Sequence, residues 1–310
     1  MAYTKGLHEV GDGVWAYLQP DGGWGWSNAG LIIGDDDSLL VDTLFDLRLT
    51  ADMLEEMRAT VPSGGRISTV VNTHANGDHC YGNSLLAESE IISTARCAEE
   101  MLQLPPATMA AMLRSADSLG PAGRFLQRIF SPFSFEDVPL AVPTRTFEQQ
   151  LDLQVGGRAV SLVEVGPAHT AGDAVVHLVD EGVVFTGDIL FNGGHPIVWS
   201  GPVAHWIAAC DRVLDLQPSV VVPGHGPLAT PAALVDLKGY FELLTTEARS
   251  RFDAGMTPLS AARDIDLGPY SGWSEPERVV ANVHALYRDF GGGAPSDALT
   301  LMGEMADLAG

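Results

Sequence analysis

Four short segments concentrate side chains able to bind a metal and move a proton. They are Thr73–Asn83 (THANGDHCYGN), Gly166–Asp173 (GPAHTAGD), Thr186–Leu190 (TGDIL) and Val222–Pro227 (VPGHGP), and each follows a β-prone run. Side chains at the ends of strands project from a fixed backbone, so four such ends can converge on one point. Imidazole nitrogens together with carboxylate and amide oxygens suit zinc, and also iron or manganese. Two such ions bridged by one carboxylate would activate a hydroxide and polarise a carbonyl or phosphoryl oxygen. Any one segment alone is weak, because a single His before Gly is more often a turn residue. All four in order, each after a strand, make a far stronger signal.

The elements around these segments read as alternating strands and helices. Val14–Leu18, Leu31–Ile33 and Ser38–Val41 are strand-like, with turn residues at Pro20–Gly23 and Gly34–Asp37. Thr50–Thr60 spaces its apolar residues for a helix capped near Thr50 or Asp52, and Ser68–Val71 reads as a buried strand. Residues 98–135 are helical in composition, broken at Pro105–Pro106 and Gly120–Pro121. Strand signals return at Leu151–Val155, Ala159–Val165, Ala174–Val179 and Gly182–Phe185. Helix Trp206–Leu216, strand Ser219–Val222 and a mostly helical tail from Pro231 complete the chain. In that tail, Ser274 and Glu277 have the spacing of a capping box for a helix from about Glu275 to Phe290. Its apolar stripe would pack on the rest of the fold or form a homodimer face. The pattern is that of a layered α/β protein with helical additions.

Composition narrows the partners. The 310 residues carry a formal charge of −23, with 46% apolar and 18% charged residues. Such a chain is globular, and its acidity repels phosphate backbones and anionic lipid. No Lys/Arg run offsets it, so neither nucleic acid nor a membrane surface is an expected partner. Cys80, Cys97 and Cys210 are too few and too dispersed for a disulfide framework. MAYTKGLHEV lacks the apolar stretch of a signal peptide, and no run approaches a membrane span. A reducing, cytoplasmic setting is the expectation.

Taken together, the four segments resemble the metallo-β-lactamase superfamily over roughly residues 10–230. The resemblance implies an αββα sandwich with a metal site at one edge of its two sheets. On that plan residues 1–230 form the family domain, 98–140 a helical insertion or lid, and 231–310 a helical C-terminal extension. His74, Asp78 and His79 match three ligands of the family's HxHxDH motif, and His169, Asp188 and His225 match the three later ones. Val41–Thr43, Gly82–Asn83 and Pro223–Gly226 match neighbouring features. Asn76 stands where the motif has its second His. The resemblance assigns His74, position 76 and His169 to one metal, and Asp78, His79 and His225 to the other, with Asp188 bridging. An amide oxygen is a weaker ligand than imidazole. Three arrangements are therefore open: Asn76 ligates through oxygen, a water takes its place, or one metal suffices. The implied cofactor is zinc, as one or two ions, with iron or manganese as alternatives. Asp42, Thr73 and Thr186 stand where they would orient the ligating imidazoles, or serve as turn residues and caps.

The chemistry so implied is hydrolysis by a metal-activated hydroxide. Asp78 would be a ligand and proton acceptor, while Asp188 would hold the metals and tune the nucleophile. Trp24, Trp26 and Asn28, on the PDGGWGWSNAG loop, would cover an acyl group, or the tryptophans would pack under the sheet. His195 and Trp199 follow Asp188 closely enough to reach the same pocket, whereas His177, inside a strand, reads as structural. The expected small-molecule substrate is a thioester, ester or lactone of an apolar or aromatic acyl group. VWAYLQPDGGWGWSNAG also resembles the metallo-β-lactamase-like cyclase/thioesterases of aromatic polyketide pathways. That reading would bring an acyl carrier protein as partner. A non-catalytic metal-binding scaffold is the alternative of a different class.

Overall fold

Neighbouring residues along most strands are buried on opposite faces, and both faces are covered. A computed structural model describes residues 3–35, 37–61, 66–293 and 296–310. Strands β1 (Gly6–Gly11), β2 (Val14–Leu18), β3 (Ala29–Ile33), β4 (Ser38–Val41), β5 (Ile67–Val71), β6 (Glu90–Thr94) and β7 (Arg145–Phe147) form one sheet in chain order. A second sheet comprises β8 (Gln150–Val155), β9 (Arg158–Glu164), β10 (Ala174–Leu178), β11 (Val183–Phe185) and β12 (Val220–Val222), also in chain order. Pairing is parallel from β4 to β7 and between β11 and β12, and antiparallel elsewhere.

The period of two decides which residues meet. Val14, Ala16, Ile32, Leu39 and Val41 of the first sheet share a core with Val160, Leu162, Val176 and Phe185 of the second. Their chain neighbours Tyr17, Leu31, Leu40, Val175 and Val184 point outward into a second core built with helices. Two sheets buried on both sides require helical layers outside them, which is the αββα arrangement. Helices α1 (Leu47–Thr60), α2 (Gly77–Cys80), α3 (Ala95–Met101), α4 (Pro106–Arg114) and α5 (Gly120–Phe130) belong to the first half. The rest are α6 (Val203–Asp215), α7 (Ala232–Asp253), α8 (Pro258–Asp264), α9 (Val279–Asp289) and α10 (Ala298–Ala309). The C-terminal α10 packs on α5, on α9 and on the turn before α9. Among the described residues no helix is long and apolar enough to cross a membrane.

Three local expectations change. Helix α1 begins at Leu47, not near Thr50, because the Asp46 carboxylate caps it by accepting from Leu49 N at 2.7 Å. Thr50 instead receives Leu44 N on its hydroxyl. The Gly120–Pro121 pair starts α5, since proline fits a first helical turn that needs no amide donor. The capping box at Ser274 and Glu277 does not form. Ser274 donates to the Glu275 carboxylate, Glu277 accepts from Trp24, and a 3-10 turn over Pro276–Arg278 leads into α9.

Candidate metal centre

Every candidate ligand lies in the segment that follows a strand end, on a loop or a single helical turn. After β5 the chain passes through Thr73–His74 into α2, which carries Asp78 and His79. His169 lies in the loop between β9 and β10, where buried Asp173 accepts from the backbone of Ala168 and Thr170 and from the Thr170 hydroxyl. Asp188 follows β11 and His225 follows β12. Gly224 permits the close approach of these two loops, because a Cβ there would fall 2.0 Å from Asp188 Oδ1.

Two clusters result, His74–His169–Asp188 and Asp78–His79–His225, with one donor atom from each member lying within 4.8 Å of the others. Asp188 joins them. Its Oδ2 is 3.3 Å from His169 Nε2 and 3.7 Å from His74 Nε2, while its Oδ1 is 3.1 Å from His79 Nε2 and 3.5 Å from His225 Nε2. Asp78 Oδ2 lies 3.2 Å from His225 Nε2.

The outer ring nitrogens fix the tautomers. His79 Nδ1 donates to Asp42 Oδ2 (2.9 Å), His169 Nδ1 to Ile197 O (2.7 Å), and His225 Nδ1 to Gly22 O (3.1 Å), all acceptors only. Thr73 Oγ1 donates to Asp42 Oδ2 at 2.7 Å, so it accepts from His74 Nδ1 at 3.0 Å. All four imidazoles therefore aim Nε2 at the cluster, held as metal ligands are held by their outer partners. Asp42 stands in the left-handed region (φ 61) and also accepts from Thr73 N, so one carboxylate sets two imidazoles. Thr186 plays a different part: its hydroxyl donates to the Gly187 and Val222 carbonyls and binds the strand ends together.

The donors fit a divalent cation. Nε2 of His74, His79 and His169 and Oδ1 of Asp188 are buried without a hydrogen-bond partner among the described residues. Such orphaned groups are costly unless something meets them, and three histidine nitrogens beside carboxylate oxygens are the donor set of a borderline metal. In the protein alone the four imidazoles divide into two pairs. Burial disfavours charge on His79, but Asp188, Asp42 and Asp78 raise its pKa well above the ordinary value, and similar forces bring His225 to about 9. Burial lowers His74 and His169. Burial also opposes ionisation of Asp188, yet His225, His79 and His74 hold it well below the usual carboxylate range.

The remaining sequence candidates are placed differently. Asn76 precedes α2, half-buried; its carbonyl accepts from His79 N, and its side chain makes no capping bond. Asn28 spends its amide on backbone, accepting from Gln19 N and donating to Pro223 O and Gly226 O, so it anchors the His225 loop and offers nothing to a substrate. His195 is buried against Tyr240 and Trp273 and belongs to neither cluster. Trp199 donates its amide to His169 O and lines a cavity with His284, Tyr287 and Arg288 beside α9. Trp24 and Trp26 do face the centre's surroundings. Their loop is tied to it by the Gly22–His225 bond and by Ser27 Oγ donating to Asp78 O. Trp24 meets Phe125 and Phe130 edge-on, Trp26 packs on Phe133, and Phe45 joins Phe130 and Phe133. Two neighbours had no signal in the sequence: Phe191, stacked on His225 at 5.0 Å, and Arg278, over both Phe191 and Trp24.

Fold and centre together define an αββα sandwich with a candidate metal centre gathered from both of its sheets. A family model for the metallo-beta-lactamase superfamily matches residues 22–225, and the chain belongs to that superfamily. It is similar, at 25% identity over 304 residues, to a linear primary-alkylsulfatase from Pseudomonas sp., covering 87% of this chain and 57% of that protein. It is also 25% identical over 211 residues to the acyl-coenzyme A thioesterase MBLAC2 of Gallus gallus, covering 64% of this chain and 72% of the relative. The chain thus spans little more than half the length of the alkylsulfatase. Among solved structures, the sec-alkylsulfatase Pisa1 from Pseudomonas sp. superposes with a TM-score of 0.69 at 19% identity, over 94% of this chain and 51% of that one. A metallo-beta-lactamase from Pontibacter korlensis gives 0.56 at 17% identity, over 76% and 99%.

Proposed function

We propose that the chain hydrolyses thioesters of apolar acyl groups, with esters and lactones of the same acyl groups as related substrates. The observation that carries this reading is the aromatic wall of Trp24 and Trp26, on a loop tied to the Asp78–His79–His225 cluster, packed against Phe125, Phe130 and Phe133 on and just after α5. Likeness to an acyl-coenzyme A thioesterase supports it. His74, His169 and Asp188 Oδ2 would hold one metal, and Asp78, His79, His225 and Asp188 Oδ1 a second. A bound divalent ion supplies Lewis acidity and lowers the pKa of a coordinated water towards about 7. The protein's own residues do the rest. Asp78 has the most exposed side chain of the six, at 13% against 4% or less, so substrate approaches from its side. Its carboxylate is placed to accept a proton there. The aromatic wall excludes water and seats the chain, each buried methylene contributing about 0.8 kcal/mol.

Likeness to an alkylsulfatase over most of the chain favours a second reading, in which the apolar chain is joined to a sulfate ester. One panel tests both: octanoyl and decanoyl thioesters, free or on a carrier protein, a medium-chain lactone and octyl sulfate, assayed with and without chelator. Trp24→Ala should raise KM for the decanoyl thioester about tenfold or more while changing an acetyl thioester little. No chelator-sensitive turnover of any acyl substrate refutes the thioester reading.

A further inference from the structure

Arg278 is a buried cation beside the metal centre that makes no direct ion pair with a carboxylate among the described residues. It is 2% exposed, with its guanidinium carbon 4.3 Å from the Trp24 ring centre and 5.1 Å from that of Phe191. Phe191 stacks on His225 at an interplanar angle of 5°, so the guanidinium lies in the wall between the aromatic cover and a metal ligand. Nη1 donates to His195 O at 3.0 Å, and Nε is buried with no partner among the described residues. The neighbouring glutamates are engaged elsewhere: Glu277 Oε1 accepts from Trp24 Nε1, and Glu275 Oε2 from Ser274. Glu275 and Glu277, and after them Asp188 and Asp78, act on its charge through space, but among the described residues no carboxylate hydrogen-bonds it, and the two aspartates face the histidines and would be spent on a bound cation. A buried guanidinium with an unpartnered donor is costly unless an acceptor meets it, and its planar donors match an oxyanion.

We propose that Arg278 determines specificity by receiving an oxyanion, carboxylate or sulfate, at the polar end of an apolar chain lying along the aromatic wall. This rests on the apolar-chain site proposed above. Calorimetric titration of the metal-loaded protein with octanoate, octyl sulfate and octanol tests it, on wild type, Arg278→Gln and Arg278→Lys, with the melting temperature of each recorded. Wild type should bind the two anions at least about tenfold tighter than octanol. Arg278→Gln should lose about tenfold in anion affinity and keep its octanol affinity, and Arg278→Lys should fall between. Tighter octyl sulfate would point to a sulfate ester as the source of the anion, and tighter octanoate to an acyl product. Anion affinity unchanged in folded Arg278→Gln overturns the proposal. Should that variant not fold, undiminished anion affinity in Arg278→Lys overturns it instead, because a lysine lacks the planar fork. Equal binding of all three ligands by wild type removes the Arg278 assignment alone. No binding of any of them removes the apolar-chain site with it.

Discussion

Exchanging Asp42 for Asn tests whether one buried carboxylate sets the ligand geometry of both metal clusters. Asn tolerates the left-handed backbone at this position (φ 61), so Asp42→Asn changes chemistry with little strain. Asp42 Oδ1 accepts from Thr73 N, a bond the amide oxygen can keep. Oδ2 accepts from Thr73 Oγ1 and His79 Nδ1. An amide nitrogen there has no lone pair for either donor and favours the His79 tautomer with the proton on Nε2, the atom needed for the metal. A hydrogen bond to a charged group is worth about 1.5–3 kcal/mol. That agrees with the 10–100-fold loss of metal affinity, roughly 1.4–2.7 kcal/mol, seen when an outer partner of a ligand is removed. The expected weakening is of that size for the His79 cluster, with a smaller loss at His74, which is reached only through Thr73. Competition with a chromogenic chelator measures it. Thr73→Val is the internal control: the Asp42–His79 bond survives, so the loss should be confined to the His74 cluster. If folded Asp42→Asn retains both metals within about twofold of wild type, Asp42 does not set the tautomers.

Two further outcomes follow from the same geometry. Asn76→His supplies an imidazole at a half-buried position whose side chain makes no capping bond; it should raise metal retention by the His74–His169–Asp188 cluster in a chelator challenge without lowering the melting temperature, and unchanged retention would mean that position 76 does not reach the ion. Burial, helped by Arg278, lowers the His195 pKa from 6.5 to about 4. Because the folded ring stays neutral while the unfolded one takes up a proton below about 6.5, stability falls as pH drops towards 4, by on the order of 3 kcal/mol in full. His195→Phe should therefore lose less stability than wild type between pH 7 and pH 4.5 in urea unfolding, and parallel losses would show that the ring is not the acid-sensitive group.

The fold was legible at most strands that bury both faces, although β6 (Glu90–Thr94), buried on both, was not read. Val14–Leu18 and Ser38–Val41 are bounded by turn residues and rich in β-branched or apolar side chains, so their limits could be read directly. β1, with a mixed and half-buried face, and β7, three residues long and mostly exposed, carry too little pattern to be seen. Helix α1 was legible in its apolar spacing, but its start depended on which of several polar residues turned its carboxylate onto the backbone. At the metal centre, strand-end position and residue type marked the four segments, and the family resemblance singled out His74, Asp78, His79, His169, Asp188 and His225 within them. His195 and Trp199 were read by closeness in sequence to Asp188 and Asn28 by its place on the tryptophan loop, and the partners their side chains take, not their positions, keep them out of the clusters. Arg278 was out of reach because nothing local links a turn before a C-terminal helix to an aromatic loop some 250 residues away.

Each cluster draws from both halves of the sandwich. His74 comes from the first sheet while His169 and Asp188 come from the second, and Asp78 and His79 from the first are completed by His225 from the second. Either ion would therefore cross-link the two sheets in a protein whose three cysteines are all free. His74 and His169 stand roughly a hundred residues apart, a loop whose closure in the chain-entropy picture is worth about 4–5 kcal/mol. Neither half of the chain can assemble a cluster by itself. Metal uptake is thus a report that both sheets have folded and docked, and metal loss would first be felt as loosening between the sheets, with each sheet's own strands still paired.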